Sequence, residues 1–456
     1  MKKENIEFET LHSNKYRVHF LIGFVCVVVL LVIFIVGRSH AKYRVTQSIP
    51  LVNGTINYTL ADLNVVAIYI NQDSGYAEID TIPDGYELNT DETYCTVNGE
   101  EDTSISISYD ADTQTLNVSP MTSKGTKCYL YFDEQVSAGN IILANKTIDD
   151  SRSGEITGPL TEDTTGTVYS VEDDYGTSYV YAGAPTDKWV RFAGFYWCII
   201  RINGNGSIRM IYNGTTTDQT GEGTQLQTSA YNTNQDDNAY VGYMYGSRGA
   251  SSYSATHANT NNSTIKGVLD TWYQNNIVAN NYDQYISAEQ GFCNDRRIAI
   301  SSETWWNYDT KRGYGTNTTV YAPFSRFLNT SGRYNSTQEP TLKCSQSNDY
   351  FTTSGSSRGN HELLYPIGLI TSDEVVLAGG FGGSSNQSYY LYTNQYYWTM
   401  SPYYYDGAAW VFYVSSSGSL NGVDNADGVR PVINLKADVS LTGTGTASDP
   451  YVVVGA

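Results

Sequence analysis

The sequence predicts an α+β protein with an N-terminal transmembrane helix, a small all-β membrane-proximal domain and a larger α+β head. Three observations support this prediction. An uncharged apolar run, Phe20–Val36, lies near the N-terminus. Short β-branched and aromatic runs separated by turn residues fill residues 45–134. Later in the chain, helical spacing after Ser263 and a capping-box pattern at Thr371 occur between strand patterns.

The apolar run is long enough to cross the hydrocarbon core of a bilayer. We therefore predict a transmembrane helix over residues 20–37 and a cytoplasmic tail over residues 1–19. Basic residues flank the run almost equally, so the acidic body beyond it sets the predicted orientation. The expected protein is a single-pass protein of the cell membrane, with a cytoplasmic N-terminus and extracellular C-terminal domains. A cleaved signal peptide is the alternative, because Ser39-His40-Ala41 offers a small-x-small cleavage site.

The charge of the chain excludes one class of partner. The sequence has 27 Lys and Arg against 47 Asp and Glu, a formal net charge of −20. A chain this acidic repels phosphate backbones, so we predict no binding to nucleic acid. Its 40 Tyr outnumber its Lys and Arg together. This composition favours recognition through aromatic rings and hydroxyl groups.

The part beyond the apolar run divides into four predicted segments. Residues 45–134 form the β-rich domain, and residues 135–167, rich in Ser, Thr, Gly and Asp, form a linker. Residues 168–437 form the larger domain, which opens with a hairpin turning at Asn203-Gly204-Asn205-Gly206. Residues 438–456 form a C-terminal strand and tail.

The cysteines predict two local disulfides. Cys95 and Cys128 bracket a β-patterned segment, and Cys293 and Cys344 bracket a polar one. Closing these loops stabilises the fold by roughly 4 kcal/mol each in the chain-entropy model. Cys198 lies in an apolar strand pattern, which predicts a buried free thiol.

No motif predicts a catalytic centre, a cofactor or a metal site. The G-x-S-x-G match at residues 355–359 lacks the strand-to-helix context of a nucleophile elbow. The histidines beyond the apolar run are scattered, and no C-x-x-C pair occurs.

Five motifs carry a family resemblance: WVRFAGFYWCIIRINGNGSIRMIY (189–212), FCNDR (292–296), YPIGLITSDEVVL (365–377), YWTMSP (397–402) and GVRPVINL (428–435). Together they resemble an uncharacterised ectodomain family of Gram-positive bacteria. That family is distantly similar to the C-type lectin fold of formylglycine-generating enzymes and retroelement variable proteins. The resemblance implies a C-type-lectin-like domain over residues 168–437. The sequence lacks the E-P-N or Q-P-D triplet of calcium-dependent lectins, and no cysteine follows Cys344.

The candidate ligand-binding residues lie near the C-terminus. Tyr403, Tyr404, Tyr405 and Asp406 are predicted to form a loop between two strands. Because three consecutive rings cannot all turn inward, at least one of them is expected to be exposed. Asn421 and Asp424 are expected at the rim of this patch, and Trp410, Phe412 and Val414 in the core. A loop rich in Tyr, Ser, Gly and Asn is typical of adaptable binding surfaces.

The sequence therefore predicts a membrane-anchored cell-surface binding protein, an adhesin or receptor, that presents its head to an extracellular glycan or protein. An extracellular carbohydrate-active or protein-processing enzyme and a structural envelope component are the alternatives.

Overall fold

The computed structural model describes residues 64–72, 75–82, 86–110, 115–119, 126–134, 137–300, 312–329, 332–423 and 426–456. The chain divides into two compact units, residues 1–135 and 136–456. The predicted cytoplasmic tail (1–19) and transmembrane helix (20–37) lie outside the described residues.

The first unit is a small β structure. Its strands are β1 (Asn64–Gln72), β2 (Gly75–Ile79), β3 (Tyr86–Leu88), β4 (Tyr94–Val97), β5 (Glu100–Glu101), β6 (Ser106–Asp110), β7 (Thr115–Ser119) and β8 (Thr126–Glu134). Six of them form one sheet in the order β2-β1-β8-β4-β5, with β3 also paired to β8, and β6 and β7 form a separate hairpin. Leu130 and Phe132 are fully buried in a core that includes Cys95 and Cys128.

The second unit is also built mainly from strands. These are β9 (Thr147–Asp149), β10 (Thr167–Glu172), β11 (Thr177–Val180), β12 (Trp189–Phe192), β13 (Phe195–Ile202), β14 (Ile208–Tyr212), β15 (Thr228–Ser229), β16 (Met244–Tyr245), β17 (Asn261–Asn262), β18 (Phe292–Cys293), β19 (Thr319–Val320), β20 (Tyr350–Phe351), β21 (Tyr397–Tyr405), β22 (Ala409–Val414), β23 (Leu420–Val423), β24 (Asp427–Gly428), β25 (Val432–Leu435), β26 (Leu441–Thr442) and β27 (Tyr451–Val453).

Two larger sheets organise the second unit. The nine-stranded sheet runs β26-β27-β12-β13-β11-β10-β9, and β14 joins β13 to β25. The predicted hairpin is confirmed, because β13 and β14 pair antiparallel around the Asn203–Gly206 turn. The six-stranded sheet runs β15-β24-β21-β22-β23, with β19 beside β21. One large core of aliphatic and aromatic side chains extends across this unit.

The helices of the second unit are short. The α-helices are Ala138–Leu143, Tyr253–Thr256, Thr264–Asn276, Ala322–Phe327 and Ser372–Leu377, and the 3₁₀ helices are Gly221–Thr224, Asn238–Val241, Val278–Asn280, Asp283–Tyr285 and Ser347–Asp349. The helix predicted after Ser263 is present, with the Ser263 side chain as its N-cap. The capping box of Thr371 and Glu374 also forms, but its helix has only six residues.

The predicted fold class needs correction. The described residues form a mostly β protein with few, short helices, and not the α+β architecture with a C-type-lectin-like head that the sequence predicted. The predicted start of the helix after Thr371 is correct, but the helix is short. It ends before Gly379, whose φ of +114° is incompatible with an α-helix. The described part of the predicted linker (residues 135–167) contains a helix and β9 of the second unit.

The prediction of a single-pass membrane protein is also corrected. Within the described ranges, no helix combines the length and the apolar character needed to cross a bilayer. The longest of these helices, Thr264–Asn276, has 13 residues.

Candidate functional site

The predicted binding residues fall on the hairpin of β21 and β22. Tyr403, Tyr404 and Tyr405 are the last residues of β21 and do not form a loop. The strand continues to Tyr405 because β19 pairs with it, placing Val320 opposite Tyr404. Asp406, Gly407 and Ala408 then make the turn into β22, and Gly407 has a φ of +117°.

The three tyrosines have different environments. Tyr405 is 1 % exposed and packs in a small cluster with Tyr240 and Tyr321. Tyr403 is half-buried, with its ring 4.8 Å from that of Phe324 and 4.6 Å from that of Phe412. Burial raises the pKa of Tyr403, whose hydroxyl is hydrogen-bonded to that of Tyr334. These two rings therefore contribute mainly to packing.

Tyr404 has a different partner, Trp410. The two ring centroids are 5.6 Å apart and the ring planes are inclined by 43°. Both side chains are partly exposed, so the predicted core position of Trp410 is wrong, whereas Phe412 and Val414 are buried as expected. Burial, and then the charge of Asp406, raises the pKa of Tyr404.

Asp406 completes this group. Its Oδ1 accepts a hydrogen bond of 2.8 Å from Nε1 of Trp410, and its side chain is exposed. Its Oδ2 has no hydrogen-bond partner among the described residues. We call the side chains of Tyr404, Asp406 and Trp410 the hairpin surface. The hairpin surface thus presents two partly exposed aromatic rings and an exposed carboxylate to a ligand.

The structure tests the expected rim only in part. Asn421 lies on β23, where its backbone is opposite Tyr413 of β22. Its side chain is not among those described, and Asp424 lies outside the described residues. The rim contacts therefore remain predictions.

A second candidate is a polar cleft between β13, β14 and the helix Ser372–Leu377. At its floor, Arg201 binds Asp173 at 2.7 Å and Glu374 at 3.2 Å, and Arg209 binds Glu374 at 2.5 Å. Burial would raise the pKa of Glu374, but the two guanidinium groups outweigh it and hold this pKa below its ordinary value. A carboxylate with this pKa does not serve as a proton donor near neutral pH.

Charged side chains in the wall of the cleft also form ion pairs. Arg326 binds both Asp295 and Asp373 at 2.7 Å. Burial would lower the pKa of Arg326, yet these two carboxylates raise it. The cavity volume is about 30 Å³, which is enough for about two water molecules and too small for a sugar ring. The cleft therefore joins elements of the fold and offers little room for a substrate.

Sequence reasoning missed this charged network. The available signal was the position of Arg201 and Arg209 inside the apolar runs FYWCIIRI and IRMIY. A charged residue in such a strand needs a buried counter-charge.

The predicted disulfides are confirmed. Cys95 is bonded to Cys128, opposite it on the neighbouring strand, and Cys293 is bonded to Cys344 beside the cleft. Cys198 is a free, buried thiol whose pKa is raised by burial. In the described residues, no group of His, Cys, Asp or Glu side chains has the arrangement of a metal site.

Comparison with known proteins gives one match. A family described as Domain of unknown function (DUF6273) matches residues 261–437. No curated protein and no solved structure matches the chain. The expected resemblance to an uncharacterised family thus holds, whereas the C-type lectin fold and the Gram-positive source have no support from these comparisons. Residues 261–437, which include the entire hairpin of β21 and β22, match the domain family DUF6273.

Proposed function

We propose that the second unit is a binding module that recognises a glycan through the hairpin surface. The observation that carries this proposal is the contact between Trp410 and Asp406. It sets an indole ring and a carboxylate side by side on an exposed turn, 2.8 Å apart at the hydrogen bond.

The ring geometry suits a sugar. A pyranose has an apolar face of C–H groups, which packs on an aromatic ring, and hydroxyl groups at its edge, which need hydrogen-bond partners. Trp410 and Tyr404 supply the rings, and Oδ2 of Asp406 supplies an acceptor at their edge. Aromatic rings offer a large contact area at low cost in side-chain entropy.

The surface is also held in place before a ligand binds. Tyr404 lies on a strand with partners on both sides, and the hydrogen bond to Asp406 restricts rotation of the Trp410 ring. Fewer torsions are lost on binding when side chains are already fixed, which favours affinity. A protein ligand would use the same rings, and the experiment below separates the two.

An enzymatic function in the cleft has less support. Glu374 and Asp295, which line the cleft, are paired with guanidinium groups, and its volume of about 30 Å³ is small for a saccharide.

The test is a glycan array probed with the full chain and with Trp410→Ala. We expect binding to a limited set of saccharides and its loss in the variant. Binding that persists in Trp410→Ala would contradict the proposal. Binding to a protein array that Trp410→Ala abolishes, with no saccharide bound, would assign the surface to protein recognition instead.

A further inference from the structure

The sheet of the first unit carries five tyrosines on one face: Tyr69, Tyr76, Tyr94, Tyr129 and Tyr131. We call this group the tyrosine ladder. Tyr69 of β1 is opposite Tyr131 of β8, and Tyr94 of β4 is opposite Tyr129 of β8. Side chains at paired positions of neighbouring strands share a face, and with Tyr76 of β2 the ladder crosses four strands.

Neighbouring rings of the ladder contact one another across the sheet. Tyr69 stacks on Tyr131 with centroids 4.8 Å apart, and Tyr94 stacks on Tyr129 at 4.9 Å. Tyr94 is also 6.4 Å from Tyr131. Tyr76 of β2 meets Tyr131 edge-on at 4.9 Å. The five rings thus form one continuous aromatic surface.

This surface is separate from the core of the unit. On β8, the ladder residues alternate with Cys128, Leu130 and Phe132, which are buried on the opposite face. Side chains of β6 and β7 pack against that opposite face. The ladder rings, by contrast, are half-buried or exposed, and Tyr94 is 37 % exposed. Core packing therefore does not account for five aromatic residues here.

The charge around the ladder is negative. Residues 64–134 contain fourteen Asp and Glu and two Lys, a formal charge of −12. Glu78 is opposite Tyr69, and Glu101 is opposite Thr96, the next outward position after Tyr94 on β4. Both carboxylates are exposed, and so is Lys127, a base on the same face.

We propose that the tyrosine ladder binds a peptide segment rich in lysine and arginine. The electron-rich faces of the rings attract cations, and the surrounding carboxylates add long-range attraction. The methylene stems of Lys and Arg pack along aromatic rings while their charged ends reach the carboxylates. A second copy of this unit fits poorly, because two copies of a segment with a formal charge of −12 repel each other.

Two pairs of variants test this proposal in the full chain. The first pair removes the same charge from neighbouring residues: Glu101→Gln on the ladder face, and Glu100→Gln opposite Val97, on the other face. The second pair is Tyr94→Ala, which removes a ladder ring, and Tyr94→Phe, which keeps it. The probes are fluorescent oligolysine and oligoarginine, with acetylated oligolysine and oligoglutamate as controls, and the readout is anisotropy.

We expect the two cationic peptides to bind and the two controls not to bind. Affinity should fall about threefold to fivefold in Tyr94→Ala and little in Tyr94→Phe. Glu101→Gln should weaken binding more than Glu100→Gln, and affinity should decrease as salt rises above about 0.1 M. Circular dichroism of Tyr94→Phe and Glu101→Gln controls for folding.

Three results would overturn the proposal: equal affinity for acetylated oligolysine, equal losses in Glu100→Gln and Glu101→Gln with no effect of Tyr94→Ala, or self-association that Tyr94→Ala abolishes. The last would show that a second copy occupies the ladder. Trp410→Ala should leave peptide binding unchanged, so this inference and the proposed function can fail separately.

Discussion

The indole Nε1 of Trp410 donates a hydrogen bond of 2.8 Å to Oδ1 of Asp406, across the turn that joins β21 to β22. The turn brings the two side chains together because Gly407, between them in sequence, adopts a φ of +117°. This left-handed region is accessible to glycine and strained for other residues. The backbone of one residue therefore controls the arrangement of the hairpin surface.

Gly407→Ala should destabilise the second unit by about 1–2 kcal/mol and weaken ligand binding, because the turn must strain or shift. The matched control is Gly267→Ala, in the exposed interior of the helix Thr264–Asn276, where an added methyl group meets no atom within 4 Å. That change should stabilise by roughly 0.5–1 kcal/mol. Urea unfolding measures both. Equal effects of the two substitutions would show that the turn imposes no strain.

Glu374→Gln should cost about 3–5 kcal/mol of unfolding free energy, since it leaves the buried guanidinium groups of Arg201 and Arg209 without a shared counter-charge. The control is Asp236→Asn, which breaks an ion pair with Arg248 whose side chains are 57 % and 63 % exposed. An exposed pair contributes at most about 1 kcal/mol. If both variants unfold at the same urea concentration as the wild type, the network has no structural role.

Removal of the Cys293–Cys344 disulfide, as Cys293→Ala with Cys344→Ala, should lower the stability of the second unit by roughly 4 kcal/mol. All seven Trp residues lie between residues 189 and 410, so tryptophan fluorescence reports on this unit alone. Because each unit has its own core, removal of Cys95–Cys128 should leave the fluorescence transition in place. A shift of the same size in both double variants would mean that the units unfold together.

Acidic pH should destabilise the second unit through His257. This side chain is fully buried, and burial, followed by the charge of Arg296, lowers its pKa well below the ordinary 6.5. Nε2 lies 2.8 Å from the carbonyl oxygen of Gly313, which leaves Nδ1 as a buried acceptor with no partner in the described part of the chain. The imidazole of His257 therefore binds a proton more readily in the unfolded chain than in the folded chain. The free energy of unfolding then decreases as pH falls below about 6.5.

His257→Gln removes this titration. The difference in unfolding free energy between wild type and variant should be constant above about pH 7. Below about pH 6.5 it should change by up to 1.4 kcal/mol per pH unit, in favour of the variant. If the plots of unfolding free energy against pH are parallel for wild type and His257→Gln across this range, His257 binds its proton equally well in the folded and unfolded protein.

Local patterns in the sequence predicted local structure well. The turn at Asn203–Gly206, the caps at Ser263 and Thr371 and both disulfides depend on neighbouring residues or on the bracketing of one segment, and all are present. The lengths of the helices were not evident, because a capping box marks where a helix starts and not how far packing extends it.

Long-range pairing explains the differences at the site. The three tyrosines were predicted to form a loop because they lie between two strand patterns, YYWTMS and AAWVFYV. They form a strand because Thr319 and Val320, more than 80 residues earlier, pair with them, and because the register shifts between Pro402 and Tyr405. Trp410 lies opposite this shift, between Ala409 and Val411, and is only partly buried. Neither event leaves a signal in the local sequence.

The most direct test of glycan binding at the hairpin surface uses the saccharide that binds best on the glycan array. Its Kd is measured for the wild type, for Trp410→Ala and for Tyr396→Ala. Tyr396 is 44 % exposed and precedes β21, at the end of the strand away from the turn, so it is a matched aromatic control. Glycan binding at the hairpin surface predicts that Trp410→Ala raises Kd at least about tenfold without a large change in stability, whereas Tyr396→Ala leaves Kd unchanged. Equal Kd values for wild type and Trp410→Ala, or an equal rise in both variants, would contradict it.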